Sequence, residues 1–261
     1  MTEDTVLAVR DLVVSFGSGS SHMVALKGVD LTLLRGRTLG IVGESGSGKS
    51  TLAKTIVGIN HASSGELSFN GMDVRRARGR TRQHLRRSIQ MIPQDPYSSL
   101  NPRRTIAQTI AEAIDPRQPS PRRHGQRIAY WLERARLDPD VASRYPHEFS
   151  GGQRQRIAIA RALAVEPELV IADEITSALD LSVQAEIIKL MDTLRSELSL
   201  TMMFISHNLE VVRHVSDDIM VLFRGDVLDA GPVDDVYDNP GSEYTRQLLD
   251  AVPGAPGFDL G

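Results

Sequence analysis

The segment Gly43-Glu-Ser-Gly-Ser-Gly-Lys-Ser50 indicates the fold class, because it follows the short apolar run Thr38-Leu-Gly-Ile-Val42 and opens a predicted helix. It matches the pattern G-x-x-x-x-G-K-[ST] in the strand–loop–helix context that this pattern requires. Glycines allow a tight turn whose backbone N–H groups point inward at the positive end of a helix, which makes an anion site. Lys49 can reach the β- and γ-phosphates, and the Ser50 hydroxyl can bind Mg²⁺. The sequence therefore predicts binding of a nucleoside triphosphate.

Two carboxylates follow a second apolar run, Leu169-Val-Ile-Ala172. Ligands bind at the carboxyl ends of parallel strands, so Asp173 is placed to hold Mg²⁺, directly or through water. Glu174 can orient and deprotonate an attacking water. The alternative is an acidic pair that only stabilises a helix N-terminus. The presence of the phosphate-binding loop in the same chain favours catalysis.

Apolar runs and helical patterns alternate along the chain. Runs at 38–42, 169–172 and 202–205 predict buried strands, and the segments 153–165 and 183–194 predict helices between them. This alternation indicates a parallel sheet with helical crossovers. Alternating apolar residues near the N-terminus predict half-buried strands, and two apolar segments around Arg224-Gly225 predict a hairpin.

The composition of the sequence changes between about 95 and 149, where seven prolines separate short helical pieces and no buried-strand run occurs. This favours a mostly helical insertion in one α/β domain. We expect a P-loop NTPase core with a mixed, largely parallel sheet, an N-terminal antiparallel β subdomain and an inserted helical subdomain. The expected boundaries are a domain at 5–252, with its core at about 5–93 and 156–235, the insertion at about 95–155, a C-terminal extension at about 236–252, a flexible tail at 253–261 and a flexible loop at 17–22.

Composition excludes several classes of protein. The chain has 261 residues and no cysteine, which excludes a disulfide scaffold, thiolate zinc sites and cysteine catalysis. A formal net charge of −3 argues against a dedicated nucleic-acid binder, so no nucleic acid is expected as a partner. No segment offers the roughly 20 mainly apolar residues that a spanning helix needs. The acidic start Met1-Thr-Glu-Asp4 lacks the positive region of a signal peptide, so none is expected.

A further motif points to a family. Phe149-Ser-Gly-Gly-Gln153 would place two glycines and a serine at the start of a helix, which is either an ordinary serine cap or a second anion site. It lies 23 residues before Asp173 (173 − 150 = 23). This motif and spacing resemble the signature motif of the ATP-binding cassette (ABC) ATPases. The resemblance covers roughly residues 5–252.

The other landmarks of that family occur in its order. Gln94 resembles the Q-loop glutamine, and Ser177-Ala-Leu-Asp180 resembles the D-loop. His207 resembles the switch histidine, and Phe16 is similar in placement to the aromatic residue that stacks on adenine. The resemblance implies ATP hydrolysis with Glu174, His207, Lys49 and Gln94 as catalytic residues. It implies Mg²⁺ ligation by Ser50, Gln94 and Asp173. The implied ATP contacts are Phe16, Gly43, Glu44, Ser45, Gly46, Ser47, Gly48, Lys49, Ser50, Thr51, Gln94, Ser150, Gly151, Gly152, Gln153, Asp180 and His207.

Longer segments resemble the peptide/nickel importer branch of the family. These are 94–102, 145–149 and 239–249. The resemblance implies a subunit that energises an importer, with di- and oligopeptides as the first expectation and nickel complexes or another small solute as alternatives. Its implied partners are two membrane permeases, a second ATPase subunit (a paralogue or an identical chain) and, indirectly, an extracytoplasmic solute-binding protein. This places the chain at the cytoplasmic face of a bacterial membrane. A soluble ABC ATPase of a non-transport assembly is the other class left open.

Three positions depart from the family pattern. Ile175 stands where a proline usually follows the catalytic glutamate, which removes a constraint on φ and puts the rate of turnover in question. Phe149 replaces the usual leucine, and Asn208 replaces the aspartate common after the switch histidine.

Overall fold

The computed structural model describes residues 4–17 and 22–251. Most of the predicted loop at 17–22 and the whole predicted tail at 253–261 lie outside these residues. The chain divides into two compact units. The first contains the residues up to Leu85 and those from Thr201 onward, and the second contains Arg86–Leu200.

In the first unit, an antiparallel sheet in the order β2-β1-β4-β5 is built from the N-terminal strands. Their bounds are β1 Thr5–Phe16, β2 Met23–Leu34, β4 Ser64–Phe69 and β5 Met72–Asp73. The alternation of apolar and polar residues along β1 is interrupted between Val9 and Leu12, which are both buried and are separated by two exposed residues. A register shift with Asp11 at φ 46° absorbs the extra residue, as a β-bulge does.

A mixed group of strands in the order β10-β9-β3-β8 also belongs to the first unit. The bounds are β3 Thr38–Val42, β8 Met202–Ile205, β9 Asp218–Phe223 and β10 Asp226–Pro232. β3 pairs in parallel with both β8 and β9, while β9 and β10 form an antiparallel hairpin. Arg224 and Gly225 at its turn both have positive φ, as a tight hairpin turn requires. Both β3 and β8 are buried at every residue, which matches their continuous apolar sequences.

Helices of the first unit surround these strands. Their bounds are α1 Lys49–Ile56, α8 Leu209–Val215, α9 Val233–Asp238 and α10 Glu243–Asp250. α2, Gly79–Ser88, carries the chain from the first unit into the second.

The second unit contains the parallel strands β6 (Ile89–Ile92) and β7 (Leu169–Asp173). Every element described between them is helical: α3 Pro96–Ser99, α4 Ile106–Ile114, α5 Gly125–Arg134, α6 Gly151–Leu163 and two 3-10 turns at Pro139–Ser143 and Pro146–Glu148. α7, Leu181–Leu198, follows β7 and buries Ile187, Leu190, Met191 and Leu194 on one face.

The predicted α/β fold with a helical insertion is confirmed. The buried strands lie where the apolar runs place them, and α6 begins two residues earlier than its periodicity indicates because Ser150 caps it. The predicted domain boundaries stay a prediction. No helix within the two described stretches of chain combines the length and the apolar character that crossing a membrane requires.

Candidate nucleotide-binding site

The phosphate loop, Gly43–Ser50, joins the buried end of β3 to α1. All three of its glycines have backbone angles that side chains rarely adopt, and Gly43 (φ +148°) and Gly48 (φ +113°) are also closely packed. A Cβ atom at Gly43 would lie 2.0 Å from the Leu222 carbonyl oxygen, and one at Gly48 would lie 2.7 Å from the Leu26 Cδ2. Glycine is therefore required at both positions by backbone angle and by packing.

Lys49 lies inside this loop with 4% of its surface exposed. Its Nζ donates to the carbonyl oxygens of Gly43 at 2.6 Å and Glu44 at 2.8 Å. Ser47 is also buried, and its Oγ has no hydrogen-bond partner among the residues that the structure describes. A buried ammonium held by neutral carbonyls, an unsatisfied hydroxyl and a helix N-terminus form a set of donors that fits a phosphate group.

The opposite side of the phosphate loop faces solvent. Glu44, Ser45 and Gly46 are exposed, whereas Ser50 and Thr51 at the start of α1 are half-buried. A Cβ atom at Gly46 would meet nothing within 4 Å. The loop is thus shaped by the core on one side and open to a ligand on the other.

His207 follows β8, next to the strand that leads into the phosphate loop. Ile41 and Ile205 are partners in the parallel register, and the Ser206 amide donates to the Ile41 carbonyl oxygen at 3.2 Å. The exposed His207 and the phosphate loop therefore lie at the same edge of the strands. Asn208 caps α8 by accepting from the Val211 amide at 3.2 Å, so this departure from the family aspartate keeps the cap.

Phe16 is the last residue of β1 and is 39% exposed. An aromatic side chain of this size at a strand end offers a flat apolar face for a base. The predicted contact between Phe16 and adenine stays a prediction.

In the second unit, the strands β6 and β7 bring Gln94 and the acidic pair together. Ile92 is the register partner of Ala172, so both segments leave the same edge of the strand pair. The Gln94 Nε2 donates to the Glu174 Oε2 at 3.1 Å and to the Ser177 Oγ at 3.1 Å. The predicted Q-loop glutamine thus holds the predicted catalytic base directly.

The acidic pair has two different environments. Asp173 is 3% exposed at the end of β7, whereas Glu174 is half-buried and has φ 47°, an uncommon backbone angle for a non-glycine residue. The Ser177 amide and hydroxyl both donate to the Glu174 carbonyl oxygen, at 3.1 and 3.0 Å. This turn keeps Glu174 in place. Ile175 beside it is buried in the core.

The signature loop, Ser150–Gln153, is a complete capping box at the start of α6. The Ser150 Oγ accepts from the Gln153 amide at 3.3 Å, and the Gln153 Oε1 accepts from the Ser150 amide at 3.0 Å. Ser150 is exposed. The capping alternative is therefore correct as local structure, and it leaves the serine side chain accessible at a helix N-terminus.

Asp180, predicted to contact nucleotide, caps α7. Its Oδ1 accepts from the Val183 amide at 3.0 Å and from the Ser182 Oγ at 2.8 Å. The hydrogen bond from the Val183 amide and that from the Ser182 hydroxyl lower the pKa of Asp180. Gly152 of the signature loop approaches the same helix, since a Cβ atom there would lie 2.5 Å from the Val183 Cγ1.

Three contacts of the site were missed by sequence reasoning. Two are the bonds from Gln94 to Glu174 and to Ser177, although each of these residues belongs to a motif visible in the sequence. The third is the bond from the Glu44 amide to the Tyr244 hydroxyl, at 3.2 Å. No sequence periodicity connects positions 200 residues apart.

Sequence comparisons show which known proteins this chain resembles. The family model described as ABC transporter matches residues 26–177. The chain is 45% identical over 256 residues to the oligopeptide transport ATP-binding protein OppF of Bacillus subtilis, covering 97% of this chain and 84% of that protein. It is 45% identical over 257 residues to the di/tripeptide transport ATP-binding protein DppF of Pseudomonas aeruginosa, covering 96% of this chain and 80% of that protein.

Solved structures agree on the fold. CbiO1 from Clostridium perfringens, part of the ABC transporter complex cbiONQ, superposes with a TM-score of 0.78 at 30% identity, covering 91% of this chain and 92% of that one. A dimeric post-hydrolysis state of the ATP-binding cassette MJ0796, bound to ADP and Pi, has a TM-score of 0.78 at 28% identity, covering 87% and 98%. The predicted family, fold and ATP-hydrolysing class are thereby confirmed. This chain belongs to the ABC transporter family of ATP-binding proteins.

Proposed function

We propose that this chain binds and hydrolyses ATP to energise an importer of di- or oligopeptides. The relatives named for oligopeptide and di/tripeptide transport support this substrate class, since their similarity extends over nearly the whole chain. The observation that carries the catalytic part is the hydrogen bond between Gln94 and Glu174. It places an amide and a carboxylate side by side at the carboxyl ends of parallel strands, where ligands of such sheets bind.

In the proposed reaction, Glu174 orients the attacking water and accepts its proton. The Gln94 amide donates to one oxygen of Glu174 and so fixes the direction of the carboxylate. Lys49 and the amides at the start of α1 bind the phosphates, and His207 contacts the γ-phosphate. Phe16 stacks on the adenine.

Mg²⁺ would be held by Ser50, Gln94 and Asp173, whose hydroxyl, amide and carboxylate oxygens are the donors that this ion prefers. When bound, the ion neutralises phosphate charge and aligns the phosphates for in-line attack. The 3% exposure of Asp173 fits this role, because a buried carboxylate at a ligand-binding edge suits a cation.

The signature loop and Asp180 would act in a pair of cassettes. A helix N-terminus offers N–H groups to a phosphate without a formal charge, and the exposed capping box at Ser150 has this form. We propose that Ser150, Gly151, Gly152 and Gln153 contact the ATP held by a second ATPase subunit, which is a paralogue or an identical chain.

The test of the catalytic assignment is Glu174→Gln. We expect the variant to bind ATP with normal affinity and to hydrolyse it at least about 100-fold more slowly, since general-base catalysis contributes about 10²–10⁴-fold. Radiolabelled phosphate release and equilibrium nucleotide binding measure the two effects. Glu133→Gln makes the same chemical change on the exposed side of α5 and should leave both unchanged. Wild-type turnover in Glu174→Gln would refute the assignment.

The transport assignment needs a different measurement. The proposed partners are two permeases, and an extracytoplasmic binding protein would deliver the solute. We expect the chain to sediment with membranes at their cytoplasmic face, and to be released when the permease genes are deleted. Loss of labelled dipeptide uptake in a strain lacking this chain would support peptides. Retained peptide uptake with lost nickel uptake would favour the nickel alternative. If deletion of the permease genes changed neither the sedimentation nor the location of the chain, a non-transport assembly would be favoured.

A further inference from the structure

The C-terminal helix α10 reaches the phosphate loop through one side chain. The hydroxyl of Tyr244, the second residue of α10, accepts a hydrogen bond from the Glu44 amide at 3.2 Å. Glu44 is the second residue of the phosphate loop and lies on its exposed side. The contact therefore restrains the part of the loop that the core does not enclose.

The ring of Tyr244 is itself held by an aromatic neighbour. It packs against Phe223, with ring centroids 4.3 Å apart. Phe223 is the last residue of β9, which pairs in parallel with β3. Burial raises the pKa of Tyr244, so the hydroxyl keeps its proton at neutral pH while it accepts from the amide.

A second restraint on the phosphate loop comes from the same hairpin. The Gly225 amide at the hairpin turn donates to the Ser47 carbonyl oxygen at 2.9 Å. The loop is therefore held at Ser47 by the hairpin and at Glu44 by Tyr244. Between these two points, Gly46 has φ +81° and open space around it, so this stretch has little packing of its own.

The first turn of α10 is fixed to β10 by Asp229. The Asp229 carboxylate accepts from the Gly241 amide at 2.9 Å, from the Ser242 amide at 3.1 Å and from the Thr245 hydroxyl. Thr245 is 1% exposed. Burial raises the pKa of Asp229, but the hydrogen bonds from Thr245, Ser242 and Gly241 outweigh it and hold this pKa below its usual value. The carboxylate is thus charged at neutral pH and anchors residues on both sides of Tyr244.

We propose that Tyr244 is a positioning residue of the nucleotide site, through which the C-terminal helix sets the affinity of the phosphate loop for ATP. Ordering the backbone costs conformational entropy, and a loop that is already ordered does not lose this entropy when the ligand binds. Removing one neutral hydrogen bond should weaken binding by about three- to tenfold. The proposal rests on ATP binding by this family.

Loss of the Tyr244 hydroxyl should lower the affinity for ATP and leave the rate of the chemical step unchanged. Tyr244 contacts the backbone of the loop rather than the reacting atoms, so kcat should not change while the KM and the Kd for ATP rise together. A purely structural role in the fold would instead lower the active fraction and reduce the apparent kcat.

The experiment compares Tyr244→Phe with Tyr237→Phe in the full chain, using a fluorescent ATP analogue for the Kd and steady-state hydrolysis of ATP for kcat and KM. Tyr237 lies in α9, and its hydroxyl donates to the Leu209 carbonyl oxygen, outside the phosphate loop. Both changes keep the ring and remove one hydroxyl. We expect a three- to tenfold rise in Kd for Tyr244→Phe and none for Tyr237→Phe.

Asp229→Asn tests the hydrogen bonds by which Asp229 fixes the first turn of α10 to β10. It should weaken ATP binding in the same direction, and the double variant Asp229→Asn/Tyr244→Phe should bind no more weakly than Tyr244→Phe alone, because both changes act through one contact. Wild-type affinity in Tyr244→Phe, an equal loss in Tyr237→Phe, or additive losses in the double variant would overturn the proposal. A wild-type chain that binds no ATP analogue would instead contradict the proposed function.

Discussion

The phosphate loop and the signature loop both place glycines at a helix N-terminus, yet different interactions determine their shapes. In the phosphate loop, Gly43 and Gly48 have positive φ and pack against neighbouring strands, and Lys49 is buried within the loop. In the signature loop, neither glycine has a positive φ, and the shape comes from the capping box between Ser150 and Gln153. The first loop is specified by its tertiary environment and the second by local hydrogen bonds.

The two loops should therefore be sensitive to different substitutions. A loop formed by packing should respond most to an added Cβ atom, since neither its backbone nor its neighbours can move. A loop formed by capping should keep its shape when one hydrogen bond is lost, at a cost of about 1 kcal/mol. Substitutions in each loop test this distinction.

The largest effect is expected for Gly43→Ala. The new Cβ would lie 2.0 Å from the Leu222 carbonyl oxygen at a φ of +148°, so the free energy of unfolding should fall by about 3 kcal/mol or more. Gly46→Ala is the matched control, because its φ is +81° but nothing lies within 4 Å. It should lose only about 1–2 kcal/mol. Urea unfolding measures both. Equal losses would show that packing does not shape this loop.

A smaller effect is expected for Gly152→Ala in the signature loop. Its Cβ would lie 2.5 Å from the Val183 Cγ1, a side-chain atom that can move, so the free energy of unfolding should fall by about 1–3 kcal/mol. At Gly151 the nearest atom is the Leu179 Cδ2 at 3.3 Å, and Gly151→Ala should cost less. Adding Val183→Ala to Gly152→Ala should restore most of the loss. If it restores none, the glycine is required for another reason.

The elements that could be predicted from the sequence are those specified by a pattern within a short segment, such as an apolar run, a turn or a helix cap. The continuous apolar runs place β3, β7 and β8, because a strand buried on both faces leaves no polar position. The hairpin at Arg224-Gly225 follows from turn chemistry. The capping box at Ser150 is visible as a serine three residues before a glutamine.

Features that depend on distant residues could not be predicted in this way. The bulge at Asp11 appears only when β1 pairs with β2 in the observed register, since the extra residue must be absorbed somewhere. The bond from Gln94 to Glu174 joins residues 80 positions apart, and the bond from Glu44 to Tyr244 joins residues 200 apart. Hydrophobic periodicity reports which face of an element is buried, not which side chain it meets.

The smallest effect on stability, and the sharpest test of the signature loop, comes from its capping box. Thr105 and Gln108 form the same box at the start of α4, where the Thr105 Oγ1 accepts from the Gln108 amide at 3.3 Å, as Ser150 does from Gln153. Ser150→Ala and Thr105→Ala should therefore each lower the free energy of unfolding by about 1 kcal/mol.

Turnover should separate these two variants. Ser150→Ala should reduce ATP hydrolysis in the assembled transporter, because its hydroxyl is proposed to contact the phosphate held by the second subunit, whereas Thr105→Ala should leave hydrolysis unchanged. Equal stability losses with unequal turnover would show that the same local structure acts as an anion site at one helix and only as a cap at the other. If Thr105→Ala reduced turnover as much, the contribution of Ser150 would be reduced to the stability of α6, and the exposed serine would have no role of its own in hydrolysis.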